Sequence, residues 1–275
     1  IGSAFSILIA TLVMLATHNY AVVFYMCLIP YVLGLINFFF YPAELDLHKR
    51  ESYNLRDIFS HVFSSLLSAV KQAGQRRLII ESVSFEGFFK AVKDYIQPII
   101  KALALSLPLL ATVQAENRGP LMIGLVYVVL YTVSAYSSRK SWKISAFFGN
   151  EEKGSRAVWR SAFFIYLLLI PLFFWKLYSL AILLFIVLYI LQNIWRPLLI
   201  CRFEHYSTEA DGATVLSIES QAKSLGAMAV APIVGISVDL VKNNDLGGEF
   251  WPLAALGMVI SLAMVLTGRQ KKSAP

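Results

Sequence analysis

Hydrophobic positions in this chain gather into long runs rather than alternating with polar ones. Phe5 to Ala16, Ala21 to Tyr41, Leu121 to Tyr136, Ala157 to Trp175, Leu177 to Ile200, Val215 to Val238 and Pro252 to Thr267 are each apolar and almost free of charge. A run of about 18 or more such residues reads as a helix that spans a bilayer. One soluble core could not bury all of them. The pattern predicts an all-α, polytopic transmembrane helical bundle. Short polar links at Thr17 to Tyr20, Trp175-Lys176-Leu177 and Asn243 to Glu249 turn the chain back between neighbouring spans.

Two stretches break this pattern. From Leu45 to Arg77 the chain is polar, and Asn54-Leu55-Arg56-Asp57 resembles a capping box. Ile58, Val62, Phe63, Leu66, Leu67 and Val70 then share one helical face, which predicts a short amphipathic helix lying on the membrane surface. From Leu78 to Leu110 the chain is apolar enough to span, yet it carries Glu86, Lys90, Lys93, Asp94, Gln97 and Lys101. These six fall within an arc of roughly 100° on a helical wheel. Phe85, Phe88, Phe89, Val92, Tyr95, Ile96 and Ile99 take the other side. Pro98 predicts a kink near the far end.

Composition agrees with the pattern. The chain is 57% hydrophobic and 15% charged over 275 residues, whereas soluble domains run at roughly 45–50% and about 25%. The formal charge of +7 sits in loops between apolar runs, so it reads as topology and not as a nucleic-acid surface. Fifteen Lys and Arg fall in one alternating set of loops, including the 137–156 loop, and three (Arg118, Lys176, Lys242) fall in the other. The positive-inside rule then puts the basic set in the cytoplasm. The alternation holds only if Leu78 to Leu110 crosses once, which gives eight spans and a cytoplasmic carboxyl terminus. The apolar run starting just after Ile1 has no n-region and no cleavage pattern, so it reads as a span, and the chain reads as a piece of a longer protein. Cys27 and Cys201 read as reduced packing residues without disulfide or metal spacing.

The candidate chemistry lies in the charged stripe. Ionisable groups inside a membrane cost roughly 2.5–3.5 kcal/mol each by insertion scales, so Glu86, Lys90, Lys93, Asp94 and Gln97 are expected to face a cavity that carries substrate or protons. A flat interfacial helix is the alternative arrangement. Glu219 and Lys223, four apart on one face, form a second candidate, either a coupling pair or a structural one. No nucleophile motif, phosphate-binding loop, dinucleotide turn or metal spacing is present. The expectation is a protein that is not an enzyme, has no catalytic residues, cofactor or metal, and binds no nucleic acid.

Asp211-Gly212-Ala213-Thr214-Val215-Leu216-Ser217-Ile218, followed by Ala231-Pro232-Ile233-Val234-Gly235 and Asp239, resembles the eleventh helix of the major facilitator superfamily. Arg196-Pro197 resembles the end of its tenth helix, Tyr41-Pro42 through Leu45 the exit of its sixth, and Asp94-Tyr95-Ile96-Gln97-Pro98 the seventh helix of its drug-efflux-like branches. The resemblance implies helices five to twelve. On it, residues 1–41 are the last two helices of the amino-terminal half, 42–77 the central cytoplasmic loop, 78–268 the carboxy-terminal six-helix half and 269–275 a cytoplasmic tail. It further implies a secondary transporter in the cell (inner) membrane, exporting a small-molecule substrate in exchange for protons. The competing expectation is a membrane scaffold or a lipid-modifying membrane protein.

Overall fold

In the computed structural model the described residues are 2–41, 71–107, 112–206 and 212–267. Among them the chain is all-helical, without strands. The surface helix expected after Asn54 and the 269–275 tail lie outside these residues. Helices α1 (Gly2–Thr17) and α2 (Tyr20–Phe39) form a hairpin. It turns at His18, with φ of 51°, and Asn19 caps α2 by accepting from the Ala21 amide at 2.8 Å.

A helical rod follows without a break from residue 73 to 106. It comprises α3 (Ala73–Ser82), a π-helical turn (Val83–Gly87), α4 (Phe88–Val92), a 3₁₀ turn (Lys93–Tyr95) and α5 (Ile96–Ser106). It begins five residues earlier than the apolar run that announced it. The remaining helices are α6 (Ala115–Arg139), α7 (Ser141–Phe148), α8 (Glu151–Phe174), α9 (Tyr178–Glu204), α10 (Gly212–Asn243) and α11 (Trp251–Thr267). Two polar stretches expected as loops are partly helical. Within 137–156, α7 forms and α8 starts at Glu151, capped by the Asn150 side chain accepting from the Lys153 amide. Beyond Ile200, α9 continues through Cys201 and Arg202 because Arg202 is paired inside the bundle.

Five helices, α2, α6, α8, α9 and α10, are long and apolar enough to cross a membrane, and α1 and α11 are shorter apolar helices. Their outward faces carry large exposed apolar side chains, such as Phe164, Leu168, Leu183, Ile236 and Val259. In water such a surface would drive association; toward lipid tails it costs nothing, because the tails are as apolar as the side chains. The chain is a multi-pass, membrane-embedded helical protein.

The bundle has two ends. At the first, the Gln75 amide donates to the Tyr206 carbonyl at 2.7 Å and Arg77 reaches Glu152 at 3.6 Å. At the second, the Gly248 amide donates to the Phe174 carbonyl at 3.0 Å, and the ring of Phe250 lies against Tyr95, Phe173 and Tyr178. The rod touches both ends, so it runs the length of the bundle. Its apolar face is the expected one: Phe85, Phe88, Phe89, Val92, Ile96 and Ile99 are buried and Tyr95 is half-buried. Phe85 packs into a box with Trp159 and Trp195, with ring centroids 5.0–5.6 Å apart. Helices in lipid gain no hydrophobic free energy by meeting one another, so close packing and polar contacts hold them. Gly87 is an example of the first: a Cβ there would lie 3.1 Å from the Lys223 carbonyl oxygen, so the rod and α10 cross nearly backbone to backbone.

Candidate functional site

The crossing of the rod with α9 and α10 gathers four charges. Lys223 Nζ lies 2.7 Å from Glu86 Oε2 and 3.3 Å from Glu219 Oε1. Arg196 Nη1 lies 2.8 Å from Glu219 Oε1 and 3.5 Å from Glu86 Oε2. Ser82 also donates to Glu219 Oε1. Two carboxylates and two cations thus form a closed quartet, with Glu219 fully buried and Glu86 nearly so. Each carboxylate keeps one oxygen, Glu86 Oε1 and Glu219 Oε2, buried without a protein hydrogen-bond partner. A buried acceptor in that state costs free energy until a proton, a water or a ligand donor reaches it.

The π turn explains how Glu86 enters this quartet. A π turn rotates less per residue than an α-helix, and a 3₁₀ turn rotates more. Glu86 lies within the π turn, where the rod meets α10, and Lys93 and Asp94 lie within the 3₁₀ turn that follows. Glu86 is buried, Lys93 is half-buried, and Lys90, Asp94, Gln97 and Lys101 are exposed.

The expected cavity residues do not all meet in one place. Glu86, Lys90 and Lys93 line a cleft of about 350 Å³ together with Phe89, Tyr131 and Ser134, Tyr189, Gln192 and Asn193, and Lys223. Lys90 Nζ donates to Ser224 Oγ at 3.3 Å. Gln97 lies farther along the rod, donating to the Tyr127 hydroxyl at 3.3 Å, and it lines a second space of about 300 Å³ between α1, α2 and α6. Asp94 stands exposed at the edge of the stripe. Glu219 and Lys223 do pair, but each has a stronger partner on another helix, Arg196 and Glu86 respectively.

A second polar group lies one turn nearer the first end. Arg202 grips Glu81 with both terminal nitrogens, at 2.6 and 3.1 Å, and donates to Ser155 Oγ at 2.9 Å. Arg77 reaches Glu81 at 3.0 Å and Glu152 at 3.6 Å, and Arg156 reaches Glu152 at 3.0 Å. The sequence reading missed Arg196, Glu81 and Arg202. Arg196 carried one local signal, a charge immediately before Pro197 at the end of an apolar run. Cys27 and Cys201 are free, as expected of reduced residues, and exposed rather than packed.

No family model, curated protein or solved structure matches this chain. Among the described residues no group of three or more His, Cys, Asp or Glu is placed to hold a metal ion. What the described residues do show is two carboxylates and two cations closed into one set beside a cleft of about 350 Å³.

Proposed function

We propose that the chain forms part of a secondary active transporter that moves a small organic solute across a cell membrane by alternating access, with protons as the coupling ion and efflux as the direction. On this reading it crosses the bilayer eight times, with the first end of the bundle and the carboxyl terminus in the cytoplasm, and has the architecture of the major facilitator superfamily. The observation that carries the reading is the cleft beside the quartet. A helix as polar as the rod belongs at membrane depth only where its stripe meets a cavity, and a volume of about 350 Å³ falls within the range of solute sites.

The quartet supplies a route to coupling. Protonation of Glu86 on its unpartnered oxygen removes one of two negative charges, leaving Lys223 and Arg196 to share Glu219. The rod then loses its ion pairs to α9 and α10 at this crossing, keeping the Glu81–Arg202 pair to α9, while Lys90 and Lys93 face the altered field from the cleft side. Solute and proton thereby bias the same crossing, which is what linkage between two sites requires.

The test is solute-driven proton movement in energised membrane vesicles holding the full-length protein, screened with organic acids, bases and neutral solutes. Asp94→Asn and Lys90→Ala are expected to lower transport, and Glu86→Gln to abolish its pH dependence. Wild-type, pH-dependent transport in all three removes the stripe from the mechanism. Cysteines placed at 86, 90, 94 and 97 are expected to label from water; protection of all four would favour a packed scaffold.

A further inference from the structure

The charge of the cleft selects among solutes, on the footing of the transporter reading above. Its lining holds Lys90, Lys93 and Lys223 against a single carboxylate, Glu86. Glu86 is already engaged by Lys223 and Arg196, and the quartet is formally neutral. Lys90 and Lys93 stand outside it. Among the described residues no carboxylate oxygen comes within 4.0 Å of either ammonium group. Asp94 does not line the cleft, but its carboxylate acts electrostatically on the Tyr189 hydroxyl at the cleft's border and offsets part of the positive charge. Two like charges three positions apart on one helix repel each other.

The rest of the lining offers hydrogen-bond donors. The Gln192 amide and the Tyr131 and Tyr189 hydroxyls border the cleft, Ser134 Oγ there is buried with no partner, and the Asn193 amide already donates to the Tyr189 carbonyl and Gln192 Oε1. Phe89 and the two tyrosine rings supply apolar surface. We propose that the transported solute is a small organic anion, a carboxylate or sulfonate, whose charged end lies between Lys90 and Lys93. Its acceptor oxygens meet the donors of Ser134 and Gln192, and its organic part lies on the aromatic rings. An anion between the two lysines replaces their repulsion with attraction, whereas a cation adds a third like charge.

The test reads the sign of the cleft without knowing the solute. The full-length protein, with Cys27→Ser and Cys201→Ser among its cysteine replacements, carries Asn193→Cys in lipid nanodiscs. It is reacted with two methanethiosulfonate reagents of similar size, the anionic sulfonatoethyl and the cationic trimethylammonioethyl form. Relative to mercaptoethanol, the anionic reagent is expected to be favoured about fivefold, the effect of two unscreened-by-partner ammonium groups within several ångströms in a wet site. Lys90→Gln with Lys93→Gln should return the ratio to that of the free thiol. Benzoate should slow the labelling and benzamidine, its cationic counterpart, should not. A ratio that favours the cation, ignores the two lysines, or is accompanied by protection from benzamidine overturns the anion proposal and leaves the transporter reading standing. Failure of both reagents to react, at Asn193→Cys and equally at Gln192→Cys, removes the water-filled cleft and the transporter reading with it. Gln192→Cys also serves where Asn193→Cys does not fold.

Discussion

Glu86 and Lys223 meet at 2.7 Å, 137 positions apart in the chain, where the π turn of the rod crosses α10. Both side chains are largely shielded, at 7% and 15% exposure. Removing one partner of such a pair leaves a buried charge uncompensated, which costs about 3–5 kcal/mol. Lys223→Met should therefore lower the stability of the detergent-solubilised protein, toward the low end of that range because Arg196 remains 3.5 Å from Glu86. Adding Glu86→Gln should recover most of the loss. Thermal unfolding of the two single variants and the double variant measures the coupling. Additive losses would show that the pair is not a unit.

Backbone proximity at the same crossing gives a second expectation. Gly87→Val places a branched side chain where even a Cβ lies 3.1 Å from the Lys223 carbonyl oxygen. The two helices must separate, at about 1–3 kcal/mol for overpacking, and the Glu86–Lys223 contact lengthens with them. Gly34→Ala on α2 is the control. Nothing lies within 4 Å of a Cβ there, so the change should be neutral or stabilise by about 0.5–1 kcal/mol through helix propensity. Equal melting temperatures for the two variants would contradict the close crossing.

Arg202 tests whether geometry or charge matters at the first end. Its two nitrogens hold Glu81 at 2.6 and 3.1 Å while one also reaches Ser155 at 2.9 Å. Lysine keeps the charge but cannot present two parallel donors from a plane. Arg202→Lys should cost about 1.5–3 kcal/mol, the worth of a hydrogen bond to a charged group. Arg202→Met should cost more, because Glu81 then stays buried with only Arg77, at 3.0 Å, as its cation. Unfolding of both variants in the same detergent orders them; a lysine variant as stable as the parent would reduce the fork to a simple ion pair.

The rod shows what the sequence makes legible and what it does not. Its apolar face was readable because Phe85, Phe88, Phe89, Val92, Ile96 and Ile99 follow the helical period, and those residues are buried. The polar stripe was readable for the same reason. The quartet was not. Arg196 reaches Glu86 across 110 positions and Ser82 reaches Glu219 across 137, and no local period records a partner on another helix. Glu219 and Lys223 at i, i+4 gave the one local clue to a pairing, and it pointed to the weaker of each residue's contacts. Arg202 was hidden by its place just past an apolar run, where a charge reads as a loop residue until tertiary pairing draws it inward. The π turn left no signal beyond a lone glycine, so the burial of Glu86 followed only from the packed structure.

The two ends of the bundle separate the charges by side, and this gives the last expectation. Arg77, Glu152 and Tyr206 gather at one end, and Phe174, Gly248 and the Lys242–Glu249 pair at 3.7 Å gather at the other. Between them α8 and α10 run the full depth of the bundle. The basic loop that leads into α8 belongs to the first end, and the turn holding Asp245, with φ of 50°, belongs to the second. If the bundle spans the membrane with basic loops inside, Asp245→Cys should react with an impermeant maleimide on intact cells. Lys143→Cys and Lys153→Cys should react only after permeabilisation. The same background lacking Cys27 and Cys201 is needed, since both are exposed. Labelling of 153 and 245 from the same side would mean that α8 and α10 do not cross, and the rod would then lose the bilayer that makes its charged stripe costly. Labelling in the reversed order would keep the crossings and invert the orientation, placing the Arg202–Glu81 fork on the outer side.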